Sequence, residues 1–328
     1  MTKVFVISGS KLARCNHVQF LPETTIVGIP EEADVIFVDW THISNFEAEV
    51  IQRIVNSRKP VVVLDYLEYP EDDRLFLTCP ETWNASLHPC ALLKELENSI
   101  KVYFKRELTR ARVPALPYPV YATDYVTEMC PEDEVADTAE VFNARPIDFF
   151  MFWGYSSNDR PRLHAELMRR AFAGLATTLK DIDWLIEKGR KGIYALLHTP
   201  VYRRVPLPEL LQYQKRAKIS ISLRGSSQKC FRHAEAPLNS VMALQCSTEF
   251  AFPWNKTNSV ILPSLSTPSV NPYYWIDVPA SVTALFAALE GDLYSVYLAG
   301  VENARHYKSK NYVQEHWLPL MRKHGAWV

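Results

Sequence analysis

Short runs of apolar β-formers that stop at a polar residue or a glycine set the fold class of this chain. Asp34 to Asp39 and Lys59 to Asp65 carry Val-Ile-Phe-Val and Val-Val-Val-Leu with no polar interruption. A strand with one wet face alternates apolar and polar positions, so these strands must be covered on both faces. Between them, Phe46, Val50, Ile51 and Ile54 fall on one face of a helix from about Asn45 to Ser57, with Asn45 as its N-cap. Strand, helix, strand with acidic residues at the strand ends predicts a parallel sheet. Asp39 and Asp65 then stand at its carboxyl edge, where such sheets bind ligands.

The same grammar continues. Lys3 to Ser8 is a short strand ending in Gly9-Ser10, and a helix near Ala91 to Asn98 leads into a strand at Ile100 to Lys105. Later strands are expected at Ile147 to Gly154 and Ile219 to Leu223, with helices near Pro161 to Leu175, Leu207 to Ala217, Ser281 to Glu290, Leu293 to Tyr307 and Val313 to Arg322. Pro114, Pro117, Pro119, Pro131 and Pro146, with the acidic run Glu132 to Asp137, read as a connection between two domains. The boundary is placed near 140. A length of 328 residues suits two such domains, each with its own core.

Composition excludes several classes. Lys plus Arg is 36 against 37 for Asp plus Glu, which removes a global electrostatic argument for nucleic acid or anionic membrane and leaves only local patches. No apolar run approaches the roughly eighteen residues of a membrane span. The N-terminal MTKVFVISGS reaches Gly-Ser too soon for a secretory leader, so a cytoplasmic location is expected. The six cysteines form no CxxC pair, and His164, His198 and His233 show no ligand spacing, so neither a zinc site nor any other metal is expected. The acidic clusters Glu31 to Asp34 and Glu71 to Asp73 read as solvated surface.

Residues 224 to 235, Arg-Gly-Ser-Ser-Gln-Lys-Cys-Phe-Arg-His-Ala-Glu, carry the chemistry. A turn of small residues after a strand lets backbone N–H groups approach a phosphate, and a helix start adds partial positive charge. Arg224, Gly225, Ser226, Lys229 and Arg232 compose a diphosphate clamp on this reading, and Glu235, one helical turn past Arg232, accepts from a ribose diol. The plainer reading is a surface turn with a solvated basic rim. The segment matches neither the dinucleotide nor the P-loop fingerprint.

Residues 213 to 235 as a whole resemble the donor-site block of GT-B glycosyltransferases, in particular the CgeB-like and exostosin-like group. The shared course is an aromatic-bearing helix, a strand, a Gly turn and an Arg-x-x-Glu helix. Asp148 to Gly154 followed by Arg160 and Arg162 resembles the opening of the second domain in that family, and Ile100 to Glu107 the closing of the first. After Glu235 the family continues with small residues, a Gly and a Pro, whereas this chain reads Ala236-Pro-Leu-Asn-Ser-Val. The resemblance implies an α/β protein of two Rossmann-like domains facing each other across a cleft. Residues 1–140 would be an acceptor domain, 141–307 a donor domain, and 308–328 a helix returning to the first. It also implies a nucleotide-sugar co-substrate, a UDP-sugar, with no other cofactor. Glu235 would bind the ribose and Arg232 the phosphates, with Gly154 and Arg160 nearby.

Transfer by direct displacement needs a base for the acceptor hydroxyl. His17, Asp39, His42, Asp65 and Glu68 all qualify by position. Asp39 is the first choice because it ends a buried strand, and His17 the second. Tyr103, Tyr202 and Tyr213 lie among basic residues, which leaves a modified nucleic-acid base open as acceptor beside a glycan. The rival function is a two-domain nucleotide- or sugar-binding protein without chemistry.

Overall fold

The computed structural model describes residues 1–7, 17–39, 48–65, 95–105, 118–123, 136–154, 159–171, 174–198, 205–223, 236–245, 255–265, 276–306 and 309–327. The chain divides into two compact units. One comprises Met1–Glu128, Glu249–Ala251 and Tyr307–Val328, and the other Met129–Thr248 and Phe252–His306.

The first unit holds β1 (Thr2–Ile7), β2 (Thr24–Ile26), β3 (Val35–Asp39), helix α1 (Ala48–Ser57), β4 (Val61–Asp65), β5 (Ile100–Lys105) and β6 (Val120–Ala122). Every pairing is parallel and the strand order is β2-β1-β3-β4-β5-β6. Successive side chains of a strand point to opposite faces, and both faces are buried. Phe37, Val62, Leu64, Val102 and Phe104 meet Val313, Trp317, Leu318 and Met321 on one face. Ile36, Val38, Val61, Val63 and Tyr103 meet Ile51 and Ile54 of α1 on the other. The unbroken apolar runs are the sequence trace of this double cover. The covering segment near the C-terminus runs from Ser309–Tyr312 through a π-helical turn, Val313–Trp317, into Leu318–Lys323. Pro319 has no N–H to return to the preceding turn, which accounts for the widened hydrogen-bond pattern there. The expected helix at Val313 to Arg322 is thus partly π-helical.

The proline-rich stretch 114–146 is not simply a connection. Its first part supplies β6, the edge strand of the first sheet, where the Pro119 carbonyl accepts from Tyr103 N at 2.9 Å. An edge strand tolerates proline because one side of its backbone bonds nothing in the sheet. Its last part forms a short helix of the second unit, α2 (Ala139–Asn143), capped by Thr138.

The second unit continues with β7 (Ile147–Trp153), α3 (Asp159–Arg170), β8 (Leu175–Ala176), α4 (Leu179–Glu187), β9 (Ile193–His198), α5 (Leu207–Lys215), β10 (Ala217–Ser222), β11 (Val241–Gln245), β12 (Val260–Leu262), α6 (Val278–Glu290) and α7 (Leu293–His306). Its sheet is again parallel throughout, in the order β12-β11-β10-β7-β9-β8. Phe149, Met151 and Ile219 face Leu163, Leu167, Val282 and Leu285, while Phe150, Ala195 and Leu197 face Ile182, Leu185 and Leu210. The chain crosses from β7 to the edge strand β8, turns back to β9 between them, and then passes to β10 on the other side of β7. That reversal makes the carboxyl ends of β7 and β10 the switch point at which open α/β sheets leave a crevice.

Candidate functional site

At this switch point the chain leaves β7 at Gly154 and β10 at Leu223. Arg160, on the first turn of α3, ties the two exits together. Its Nη1 donates to the Gly154 carbonyl at 3.1 Å and its Nη2 to the Leu223 carbonyl at 3.0 Å. The residue is only 6% exposed. Its neighbour Asp159 is fully buried, and its Oδ1 accepts from Ile276 N at 3.3 Å. Trp153, the last residue of β7, lies against His198 at 4.2 Å between ring centroids and meets the edge of His164 at 5.3 Å. His164 Nε2 sits 3.2 Å from the Leu196 carbonyl, which can only accept, so this nitrogen carries the ring proton. Burial, with a smaller contribution from His198, holds the His164 imidazole below its ordinary range.

The sequence reading placed Gly154 and Arg160 on the donor side, and both lie at this switch point. Arg224, Gly225, Ser226, Lys229, Arg232 and Glu235 lie outside the described residues, in the segment that follows Leu223.

In the first unit, the acidic strand ends seen in the sequence fall side by side. Asp39 closes β3 and is buried; its register partner is Leu64, next to Asp65, which closes β4. Asp65 is in register with Lys105 at the end of β5. Its Oδ2 accepts from Lys105 Nζ at 2.8 Å and from the Tyr103 hydroxyl at 2.7 Å. Burial and the Asp65 charge push the Tyr103 phenol well above its usual range. The sequence reading named Asp65 but missed Lys105, and it offered Tyr103 as a stacking platform for a nucleic-acid base, whereas that ring is buried and its hydroxyl donates to Asp65. The only signal for Lys105 was a lysine closing a strand whose neighbour ends in an acidic residue. His17 opens a 3-10 turn, His17–Phe20, and nothing of its side chain is described. His42 and Glu68 lie outside the described residues. Among the described residues, no group of three or more His, Cys, Asp or Glu is placed to hold a metal ion. No single described helix is long and apolar enough to cross a membrane.

With this geometry in hand, solved structures give the architecture its relatives. An alpha-glucosyltransferase in complex with UDP and a 13-mer DNA containing a HMU base superimposes with a TM-score of 0.54 at 9% identity, over 98% of this chain and 99% of that one. An alpha-glucosyltransferase in complex with UDP-glucose and DNA containing an abasic site gives 0.53 at 10% identity, over 98% and 91%. A UDP-forming trehalose-phosphate synthase from Burkholderia xenovorans gives 0.53 at 14% identity, over 90% and 75%. The chain has the GT-B fold. Two Rossmann-like units of this fold account for both parallel sheets and for the switch point of the second. No family model matches the sequence, and no curated protein matches it. In a GT-B fold, the second-unit site around Gly154 and Leu223 and the first-unit row Asp39, Asp65 and Lys105 each lie at a carboxyl edge, where the fold class binds its ligands.

Proposed function

We propose that the chain is a GT-B glycosyltransferase of the CgeB-like or exostosin-like kind, and that it moves a sugar from a UDP-sugar to a hydroxyl group on a modified nucleic-acid base. The observation that carries this reading is the end-to-end likeness to alpha-glucosyltransferases whose structures contain UDP or UDP-glucose together with DNA. The trehalose-phosphate synthase supports the same donor class and matches over less of its own length.

On this reading the second unit holds the donor. Backbone N–H groups of Gly225 and Ser226, with Arg224, Lys229 and Arg232, surround the diphosphate, and Glu235 accepts from the ribose. Gly154 and Arg160 stand at the neighbouring strand end. As the acceptor oxygen bonds to the anomeric carbon, the bond from that carbon to the diphosphate oxygen breaks. The cationic cluster stabilises the charge that accumulates on the leaving diphosphate. Asp39 receives the acceptor hydroxyl proton, with His17 as the second candidate for that role. The reaction runs without metal, in the cytoplasm, and the acceptor domain is the first unit.

The test is a panel of nucleotide sugars incubated with purified protein, with and without DNA containing hydroxymethylated bases. Slow release of UDP from one UDP-sugar, accelerated by the modified DNA and accompanied by a sugar mass on the base, is the expected result. Donor binding without release of nucleotide would instead support a binding protein with no chemistry.

A further inference from the structure

We propose that Arg160 is a positioning residue for the donor, not a ligand of its phosphates. It fixes where the chain leaves β7 and β10, and with that the two sides of the switch-point crevice in which the donor reading places the nucleotide. This rests on the donor reading above. The argument begins with what the guanidinium already holds. Two nitrogens of its planar fork donate to carbonyls on neighbouring strand ends, Gly154 and Leu223, the second of them 63 residues away in sequence. A guanidinium presents such donors at a fixed spacing, so the two exits are held at a fixed separation. The group is buried, and both of these hydrogen bonds end on backbone carbonyls.

Asp159 adds a third attachment. Through Ile276 N it anchors the strand-like residue that bridges Ser264 and precedes α6. The first turn of α3 therefore holds the chain at Gly154, Leu223 and Ile276, all at the carboxyl edge of one sheet.

The opposite edge of the same sheet supplies the internal comparison. Arg145, 5% exposed, donates from Nη1 to the carbonyls of Ala217 at 2.7 Å and Asn239 at 2.6 Å, and from Nη2 to Asp137 at 2.7 Å. Strand β10 is thus clamped by one buried arginine at its start and another just past its end. Both clamps join neighbouring strand ends through backbone carbonyls; Arg145 is in addition ion-paired to Asp137, and the two hold opposite edges of the sheet. A purely structural role predicts the same consequences for losing either; a positioning role predicts that only Arg160 affects donor binding.

Arg160→Met, Arg160→Lys and Arg145→Met in the full chain separate these outcomes. Amide exchange at Trp153, Gly154 and Leu223 is followed without ligand, and affinities for UDP and for uridine are measured by calorimetry. Arg160→Met is expected to speed exchange at these amides and to weaken UDP and uridine by the same factor, about tenfold, the scale of losing hydrogen bonds from a charged group. Arg160→Lys should recover part of both and serves if the Met variant does not fold. Arg145→Met should leave both affinities unchanged. A loss confined to UDP, with uridine unaffected, would make Arg160 a phosphate ligand and overturn the proposal. So would unchanged affinities in folded Arg160 variants. A wild-type protein that bound neither UDP nor uridine would refute the donor reading itself. That outcome would remove the positioning role with it, whereas unchanged exchange at Gly154 and Leu223 in the Arg160 variants of a protein that does bind would overturn the proposal alone.

Discussion

Replacing Lys105 by methionine isolates the buried ion pair at the carboxyl edge of the first sheet. The Lys105 and Asp65 side chains are 3% and 5% exposed and meet at 2.8 Å, so solvent screens the pair little. Methionine approximates the volume of the lysine stem, which keeps any cavity small. What remains is a buried Asp65 carboxylate that keeps the Tyr103 hydroxyl and loses its cation. Removing one partner of a buried pair costs about 3 to 5 kcal/mol, because the other charge is left uncompensated. Asp65→Asn, which removes the carboxylate from the Lys105 ammonium, should cost a comparable amount. The double variant Asp65→Asn/Lys105→Met removes both charges and should fall short of the sum by about 1 to 3 kcal/mol. Native-state amide exchange at Val62, Val63 and Val102, inside β4 and β5, reads the stability of this sheet in each variant. Single variants within about 0.5 kcal/mol of wild type, or an additive double variant, would show that the pair is not a unit and that the reasoning is wrong.

Three further outcomes are expected. Trp317→Ala should destabilise the first unit by about 3 to 5 kcal/mol, since the fully buried indole stacks on Phe104 at 4.3 Å; unchanged exchange in β5 would refute this. His164 is held neutral by burial, so the unfolded chain takes up its proton first as pH falls. The stability this gives is present above the ordinary histidine range and lost as pH drops through it. His164→Gln should flatten that part of the melting temperature against pH, and identical slopes would exclude the effect. Glu235→Ala should weaken donor binding by about 1 to 3 kcal/mol, while Arg232→Ala should lower turnover more than uridine affinity; full turnover would remove Arg232 from the mechanism.

The sequence alone determined the α/β class and half of the twelve described sheet-forming segments, because a strand covered on both faces is apolar nearly throughout; Ile193–His198 and Val241–Gln245 carry the same pattern and were not read from it. Val35–Asp39 and Val61–Asp65 stood out as strands covered on both faces, and their acidic ends marked the carboxyl edge of the sheet. Short or edge elements left no such trace. Thr24–Ile26 and Val120–Ala122 are too brief to show a period, and prolines beside the second read as linker. The helix Leu179–Glu187 was legible in principle, since Thr178 and Asp181 form a capping box at its start, and was overlooked.

What each polar group binds was decided only by the tertiary structure. Arg160 reads in sequence as a phosphate candidate, yet its bonded carbonyls lie 6 and 63 residues away. Asp65 finds its lysine 40 residues on, and Phe104 is covered by Trp317 from near the chain's end. Local patterning reports which face of an element is buried, because burial follows from periodicity. Partner identity depends on which strands lie side by side and in what register, and that is fixed by packing between segments distant in sequence.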